Sequence, residues 1–407
     1  MPDEAVDTLV IGGGQAGLTM SHRLKQRGID HLVLERHRIA ERWRSERWDG
    51  LMFQFPNWSV RLPDFAFPHD DPDGFSNTAA IIRFIERYAG FVAPPIRCGV
   101  EVTSLRSDGG GGFIAETRDG RIAAKNVVVA TGPYQRPLRP DVLRDHANLF
   151  QVHASGYRNP AQLPDGAVLV IGAGASGAQI TEELLRARRR VFLSVGRHSR
   201  LPRRYRGRDL IWWLAEMGID RTPVEQRGPA RLLPVISGAY GGHTIDFRRY
   251  AAEGVTLLGR VQSAGDGVIA IAPDLVDSIA QGDAYCATFL AMVDDFVRAR
   301  GLDYPEEPAA RTQRPDPPCL AEPLRRLDLR AEGIGAVIWA TGYGFDFGWI
   351  ELPVLDVSGT PRHRHGISDI PGLYFLGLQW LSRMKSSFLS GVGDDAAVLA
   401  DHIAARR

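Results

Sequence analysis

A glycine-rich stretch near the start of the chain, residues 6–17, reads VDTLVIGGGQAG. Its first six residues form a short, largely apolar run of the kind that makes a buried parallel strand. Residues 18–27 follow with helical spacing, and a second short apolar run at residues 31–34 ends at Glu35. The order strand, glycine loop, helix, strand predicts one βαβ unit.

The glycines of this loop have the spacing G-x-G-x-x-G of a dinucleotide-binding fingerprint. Gly12 permits the tight turn, Gly14 lets the backbone approach a pyrophosphate, and Gly17 lets the helix pack on the sheet. The helix N-terminus offers free N–H groups and a partial positive charge to the phosphates. Glu35 stands where the fingerprint has an acid that accepts hydrogen bonds from a ribose diol. The predicted contacts are Gly12, Gly14, Gln15, Ala16, Gly17, Glu35 and Arg36.

A second glycine loop repeats the pattern at residues 172–177, which read GAGASG. It lies between a strand predicted at residues 167–171 and a helix, and no acid closes the following strand at residues 190–195. An acid there would repel a 2′-phosphate, whereas Arg197 can pair with it, so the loop predicts NADPH rather than NADH. The arginines between residues 200 and 208 are interpreted mostly as a solvated face. The predicted contacts are Gly172, Gly174, Ser176, Gly177, Ser194 and Arg197.

Two dinucleotide sites in one chain imply that hydride passes from a nicotinamide to a second redox cofactor. The acid after the first loop suits the ADP ribose of FAD, and a flavin must be the relay because no metal or disulfide motif is present. Cys98, Cys286 and Cys319 form no CxxC pair and are interpreted as reduced thiols of a cytoplasmic protein. We therefore expect an α/β fold of two Rossmann-like dinucleotide-binding domains, with FAD and NADPH as cofactors.

The composition restricts the partners of the chain. Its 407 residues carry a formal net charge of +1, which gives no overall attraction to nucleic acid or to an anionic membrane. No apolar run approaches the roughly 20 residues of a membrane span. Acidic residues precede the first apolar run, where a signal peptide would be basic. We expect a small-molecule substrate, no nucleic-acid partner and no membrane span.

Several short motifs accompany the two glycine loops. In chain order they are WR (43–44), WDGL (48–51), LP (62–63), ATG (130–132), VGR (195–197), LPRR (201–204), ATGY (340–343) and GLYFLG (372–377). With the two loops, and in this order, they resemble the flavin-containing monooxygenase superfamily, which includes bacterial flavoproteins and plant YUCCA-type enzymes. The resemblance covers nearly all of the chain.

The resemblance implies positions for further residues. The two Ala-Thr-Gly turns would mark crossings between the FAD and NADPH domains. The N-terminus of the helix that follows the last motif, residues 391–394, would direct its N–H groups at the flavin carbonyl. The residues implied to lie near the cofactors are Trp43, Arg44, Leu51 and Gln54 at the isoalloxazine, Thr131, Gly132, Thr341 and Gly342 at the crossings, and Gly377 over the flavin.

The resemblance also implies a mechanism. NADPH reduces FAD, dioxygen adds to the 4a carbon of the flavin, retained NADP shields the (hydro)peroxide from water, and one oxygen atom passes to a small organic substrate. Nitrogen, sulfur and carbonyl oxygenation all remain open. Gln54 is the catalytic candidate, where heteroatom-oxidising members often have Asn, because its amide can donate a hydrogen bond to flavin, NADP or peroxide. The alternative is a loop glutamine without a catalytic part.

One family fingerprint is incomplete. The pattern F-x-G-x-x-x-H-x-x-x-(F/W/Y) would fall on residues 147–157, where Ala147 and Leu149 replace Phe and Gly. Only His153 and Tyr157 remain, which counts against a typical Baeyer–Villiger enzyme. His153 is either a hinge residue or a packed histidine.

We expect the FAD-binding domain at residues 1–160 and 336–407, and the NADPH-binding domain at residues 161–335. Residues 241–318 fit neither motif set and are interpreted as an insertion that shapes the substrate cleft or forms a homodimer contact. Two other functions remain open, a reductase that passes electrons to a quinone or protein acceptor and a nucleotide-sensing regulator. A disulfide reductase should show a redox CxxC, which this sequence lacks.

Overall fold

The computed structural model describes residues 3–144, 149–228 and 234–407. Its helices are α1 (Gln15–Gln26), α2 (Glu41–Ser45), α3 (Thr78–Val92), α4 (Ala175–Arg186), α5 (Leu210–Glu216), α6 (Phe247–Ala252), α7 (Leu275–Arg300), α8 (Pro318–Ala321) and α9 (Val392–Ala405). Its strands are β1 (Glu4–Ile11), β2 (His31–Glu35), β3 (Arg61–Leu62), β4 (Phe65–Ala66), β5 (Ile96–Cys98), β6 (Val102–Ser107), β7 (Phe113–Thr117), β8 (Gly120–Val129), β9 (Arg136–Pro137), β10 (Phe150–His153), β11 (Ala167–Ile171), β12 (Val191–Ser194), β13 (Ser199–Arg200), β14 (Arg204–Tyr205), β15 (Arg208–Asp209), β16 (Pro234–Val235), β17 (Thr256–Leu258), β18 (Val261–Gly265), β19 (Val268–Ile271), β20 (Arg326–Asp328), β21 (Ile334–Trp339), β22 (Tyr343–Gly344), β23 (His363–Arg364), β24 (Ile367–Ser368) and β25 (Leu373–Phe375).

The first domain is built on a parallel sheet with the strand order β5, β2, β1, β8, β25. Val10 of β1 stands in register with Val33 on one side and Val128 on the other, and all three are fully buried. Since parallel strands end at the same edge, the glycine loop after β1 and the turn after β8 come together there. Strands β6, β7 and β8 pair antiparallel in sequence order and form a meander beside this sheet.

The second domain is built on a parallel sheet with the order β10, β21, β11, β12, β17. The predicted boundaries were wrong for two of these strands. Strand β10 falls within the predicted FAD segment 1–160 and most of β21 falls within 336–407, yet both pair in the second sheet. The chain therefore crosses between the domains at about residues 130–137 and 340–344, where β9 and β22 pair antiparallel as a two-stranded ribbon.

The segment 241–318 is less of an insertion than we expected. Strand β17 completes the second parallel sheet and helix α6 contributes to its apolar core, so both are integral to that domain. Strands β18, β19 and β20 form a separate antiparallel sheet, and the 26-residue helix α7 packs its apolar face against α5. Among the described residues, no helix is both long enough and apolar enough to cross a bilayer.

The two glycine loops have nearly the same geometry. A Cβ atom on Gly17 would stand 1.8 Å from the carbonyl oxygen of Gly12, and one on Gly177 would stand 1.8 Å from that of Gly172. Gly12 and Gly172 have φ values of +116° and +107°, which L side chains rarely adopt. A Cβ on Gly14 of the first loop, or on Gly174 of the second, would meet no atom within 4 Å. The first and last glycines of each fingerprint are thus required by backbone geometry and packing, whereas Gly14 and Gly174 leave open space.

In the second loop, Gly177 is required for packing of the helix, whereas Gly174 leaves room for a ligand. Gly177→Ala should lower the free energy of unfolding by about 1–3 kcal/mol, because the added methyl group collides with backbone that cannot move aside. Gly174→Ala should cost less than about 1 kcal/mol, since its methyl group enters open space. Urea unfolding of the cofactor-free protein, followed by circular dichroism, measures both. Equal unfolding midpoints for the two variants would contradict the assignment.

Candidate functional site

A cavity of about 750 Å³ lies between the two domains at the carboxyl edges of their sheets. Both glycine loops contribute to its wall, and so do the segments before and after the first crossing. The predicted site residues that line it are Gly12, Gly14, Gln15, Ala16, Glu35, Arg36, Trp43, Leu51, Gln54, Thr131, Gly132, Ser176 and Gly377. The predicted residues that do not line it are Gly17, Arg44, Gly172, Gly174, Gly177, Ser194, Arg197, Thr341 and Gly342.

The first loop has the features that the ADP half of a dinucleotide needs. The N-terminus of α1 opens into the cavity next to Gly14, where no side chain blocks the approach. Glu35 accepts the N–H of Gly13 at 2.7 Å through Oε2 and the N–H of His37 at 2.9 Å through Oε1. Each oxygen keeps a second lone pair, so the carboxylate can also accept ribose hydroxyl groups.

The far side of this loop is fixed by the C-terminal part of the chain. The Gln15 side chain donates to the carbonyl of Ser387 at 2.9 Å. Gly377 has φ +79°, and a Cβ there would stand 2.7 Å from the Cβ of Ala16. Glycine at this position therefore allows the chain to pass close over the start of α1.

An aromatic wall follows along the cavity. The ring centroids of Trp43 and Phe53 are 5.5 Å apart, those of Phe53 and Phe55 5.2 Å, and those of Phe55 and Phe388 4.9 Å. All four residues line the cavity, as does Gln54. Flat apolar walls of this kind suit a planar ring system such as an isoalloxazine.

Two residues or segments lie elsewhere than the resemblance implies. Arg44 does not line the cavity but pairs with Glu86 of α3, because its segment forms the short helix α2 on that side. Residues 387–389, rather than 391–394, line the cavity in front of α9. The N–H of Val392 is already bonded to the carbonyl of Phe388 at 3.0 Å.

The second loop reaches the same cavity through Ala175 and Ser176 at the N-terminus of α4, together with Gln179. Its three glycines shape the turn without lining the wall. The two helix N-termini therefore open onto one space. This arrangement allows two dinucleotides to meet.

Arg197, the predicted partner of the 2′-phosphate, differs in exposure from the residues near it. Arg197 is exposed and forms no ion pair with any residue in the described part of the chain. Ser194 is a poor candidate, because it is buried and its hydroxyl donates to the carbonyl of Gly259 at 3.0 Å. His198 is also buried, against Gly282 of α7, and this burial lowers its pKa.

The interpretation of the following arginines as a solvated face was wrong for three of the five, because these three pair with aspartates that the local sequence pattern does not reveal. Three of them have side chains exposed by 13% or less and form ion pairs. The pairs are Arg200 with Asp283 at 3.0 Å, Arg203 with Asp209 at 2.8 Å and Arg206 with Asp294 at 2.7 Å.

The two crossings are tied to each other. The N–H of Leu138 donates to the carbonyl of Gly342 at 3.0 Å, and the Thr341 hydroxyl donates to the carbonyl of Leu138. His153 Nε2 donates to the same Gly342 carbonyl at 3.1 Å, while Nδ1 accepts the N–H of Ser155 at 3.1 Å. Burial lowers the pKa of His153, which favours this neutral form. His153 is thus a packed histidine at the second crossing, and Ala147 lies outside the described residues.

Two tyrosines that the sequence analysis did not select also line the cavity. Tyr134 and Tyr343 follow the two Ala-Thr-Gly turns, and their ring centroids are 5.2 Å apart. The guanidinium of Arg47 lies 5.7 Å from the Tyr134 centroid and 5.3 Å from that of Trp43. An aromatic residue soon after both turns was the signal that could have identified them.

The segment around Trp48 joins the two domains. Trp48 precedes the first crossing, yet it is buried in the apolar core of the second domain with Tyr157. The Arg158 guanidinium donates to the carbonyl of Arg47 at 2.7 Å and also bonds the carbonyl of Ser45. One wall of the cavity is therefore attached to the second domain.

No cysteine among the described residues lines this cavity. Cys98, Cys286 and Cys319 do not line it, and burial raises the pKa of each thiol. No group of His, Cys, Asp and Glu in the same part of the chain is arranged to hold a metal ion.

Comparison with known proteins agrees with this arrangement. A family model for pyridine nucleotide-disulphide oxidoreductases matches residues 9–210. An uncharacterised CzcO-like oxidoreductase of Geobacillus kaustophilus is 35% identical over 98% of both chains. A probable indole-3-pyruvate monooxygenase of Arabidopsis thaliana, YUCCA1, is 32% identical over 44% of both chains.

Three solved structures share the fold. A flavin-containing monooxygenase from Stenotrophomonas maltophilia superposes with a TM-score of 0.68 at 19% identity, covering 99% of both chains. A bacillithiol disulfide reductase from Bacillus cereus has a TM-score of 0.64 at 16% identity, covering 99% of this chain and 100% of that one. The enzyme OTEMO, in complex with FAD and NADP, has a TM-score of 0.58 at 16% identity, covering 99% and 84%.

Two Rossmann-like domains that share one cavity define a two-dinucleotide flavoprotein oxidoreductase. The chain belongs to the family of its CzcO-like relative, which matches it over nearly the whole length, and it shares the fold of a flavin-containing monooxygenase. It is an oxidoreductase, and it shares its fold with an enzyme whose structure holds FAD and NADP.

Arg197 provides a test of cofactor selection. Arg197→Ala should raise the KM for NADPH about 10- to 100-fold, because one charge-assisted hydrogen bond to a phosphate contributes about 1.5–3 kcal/mol. The KM for NADH should change less than about twofold, since NADH has no 2′-phosphate. Steady-state NADPH and NADH oxidation measures both values, with the exposed Arg325→Ala of the same domain as a control. Equal effects on the two nucleotides would rule out this role.

Proposed function

We propose that the protein transfers one oxygen atom from dioxygen to a small organic substrate through a flavin 4a-(hydro)peroxide, with NADPH as the reductant. The observation that carries the proposal is the shared cavity, onto which the N-termini of both α1 and α4 open. FAD bound along the first loop and NADPH bound along the second would meet at the aromatic wall. The bound flavin supplies the redox and oxygen chemistry.

The residues of the chain would bind, orient and shield. Glu35 and the α1 N-terminus would hold the ADP half of FAD, while Ser176 and Arg197 would hold the pyrophosphate and 2′-phosphate of NADPH. The ring of Trp43 and its aromatic neighbours would exclude water from the reacting face. Gln54 would donate an amide hydrogen bond to the flavin, to NADP or to the bound oxygen.

A reductase that passes electrons to another acceptor is the second candidate, and the fold shared with a bacillithiol disulfide reductase favours it. A disulfide acceptor is disfavoured, because none of the three cysteines lines the cavity and burial raises the pKa of each thiol. A quinone or protein acceptor fits the same cavity. The chemistry of the oxygen step distinguishes the two candidates.

The deciding experiment is stopped-flow spectroscopy of the FAD-loaded protein. NADPH should bleach the flavin anaerobically, and admission of air should then give a transient absorbance of oxygenated flavin before reoxidation. Direct reoxidation without a transient, unchanged when candidate substrates are present, would favour the reductase. Absence of bleaching by NADPH would contradict both candidates.

Gln54 is tested by two substitutions. Gln54→Ala should shorten the lifetime of the oxygenated flavin about tenfold, as expected when a hydrogen bond of about 1.4 kcal/mol is lost. Gln54→Asn keeps the amide and should retain most of the lifetime. The measurement is the decay of the transient in the same stopped-flow experiment, at equal FAD content. If the alanine and asparagine variants decay equally fast, the amide has no such role.

A further inference from the structure

Arg203, the third residue of the LPRR motif, is a buried arginine that reaches from the second domain into the first. Its side chain is 1% exposed. Nε and Nη2 donate to the two carboxylate oxygens of Asp209 at 2.8 and 3.2 Å, and Nη1 donates to the backbone carbonyl of Gln54 at 2.7 Å. Its guanidinium carbon also lies 4.4 Å from the ring centroid of Phe75.

The guanidinium and the backbone of Arg203 are both held in place by hydrogen bonds within the second domain. Asp209 accepts the N–H of Ile211 at 2.8 Å and so caps α5, which orients the carboxylate toward Arg203. The N–H of Arg203 donates to the hydroxyl of Thr244 at 2.9 Å. A planar guanidinium with both edges bonded presents its remaining N–H groups in a fixed direction. The Gln54 carbonyl therefore meets a donor that the second domain has already oriented.

The contact between the two domains is also closely packed around Gln54. A Cβ on Gly238 would stand 2.1 Å from the carbonyl oxygen of Phe53, and one on Gly242 would stand 2.4 Å from the ring of Phe75. The loop that contains both glycines belongs to the second domain, whereas Phe53 and Phe75 belong to the first. The backbone at residues 53–54 is thus held by the second domain on its outer side, while the Gln54 side chain lines the cavity.

Arg206, in the same loop, is a buried arginine that forms an ion pair without contacting the first domain. It is also buried and pairs with Asp294 of α7 at 2.7 Å, and its other bonds go to the carbonyls of Tyr304 and Pro305. All of these partners lie in the second domain. Arg203 and Arg206 are therefore a matched pair of buried arginines, of which only Arg203 bonds a residue of the cavity wall.

We propose that Arg203 is a positioning residue that fixes the direction of the Gln54 amide at the flavin from the second domain. This inference rests on the proposed function, since it requires Gln54 to act beside the flavin. The contact of the second domain with the first sets the position of the Gln54 carbonyl. The amide is then aligned only when the domain that carries NADPH is in place.

The first test is structural and needs no cofactor. In hydrogen-exchange mass spectrometry of the cofactor-free protein, Arg203→Gln should raise the exchange rate of peptides that cover residues 52–55 about tenfold. Arg206→Gln should leave those peptides unchanged and affect only the second domain. Should Arg203→Gln fail to fold, Arg203→Lys keeps a cation against Asp209 and replaces it in every comparison. Equal exchange in the two arginine variants would overturn the proposal.

The second test is a double-mutant cycle on flavin reduction. Arg203→Gln should slow the anaerobic reduction of FAD by NADPH about tenfold, whereas Arg206→Gln should change it less than twofold. Because the Gln54 amide would bond the flavin or NADP, Gln54→Ala should itself slow this reduction, and in that background Arg203→Gln should have no further effect. Additive losses would show a merely structural role and overturn the proposal. Flavin reduction is measured without oxygen. A failure of this proposal can therefore be distinguished from a failure of the oxygenase function.

Discussion

At each glycine loop the helix rests on the carbonyl oxygen of the loop's first glycine so closely that no Cβ atom fits between them. This contact fixes the angle at which α1 and α4 leave their strands, and it directs the N-terminus of each helix to the carboxyl edge of its sheet. The partial positive charges of the two helix ends then face one cavity. A side chain at either contact would displace the helix and with it the anion-binding end.

The ribbon of β9 and β22 is what brings the two edges together. Both crossings leave the carboxyl ends of their strands, β8 and β21, and pair at once as antiparallel partners. The bonds of Leu138, Gly342 and His153 add to this ribbon and hold it close to the cavity. Electron transfer between two bound dinucleotides needs such proximity, and here it follows from the path of the chain.

The sequence predicted local units well and distant partners poorly. Both βαβ units are short-range patterns, and periodicity together with glycine spacing identified them. Strand β10 was assigned to the wrong domain because its partner, β21, is about two hundred residues away along the chain. The burial of Arg203 and the bond of Ser194 to Gly259 depend on elements that pack from elsewhere, and no local pattern reports them. Arg44 was placed by resemblance alone, and its pairing with Glu86 again involves a separate helix.

Trp48 limits how the protein can be divided. Its indole completes the core of the second domain although its backbone lies in the first part of the chain, before the crossing. A fragment cut at the two crossings would lack this ring and expose an apolar socket. Exchange of the NADPH-binding half between relatives would have to carry residues 45–51 with it. The two Rossmann-like units are therefore separate in topology but not interchangeable modules.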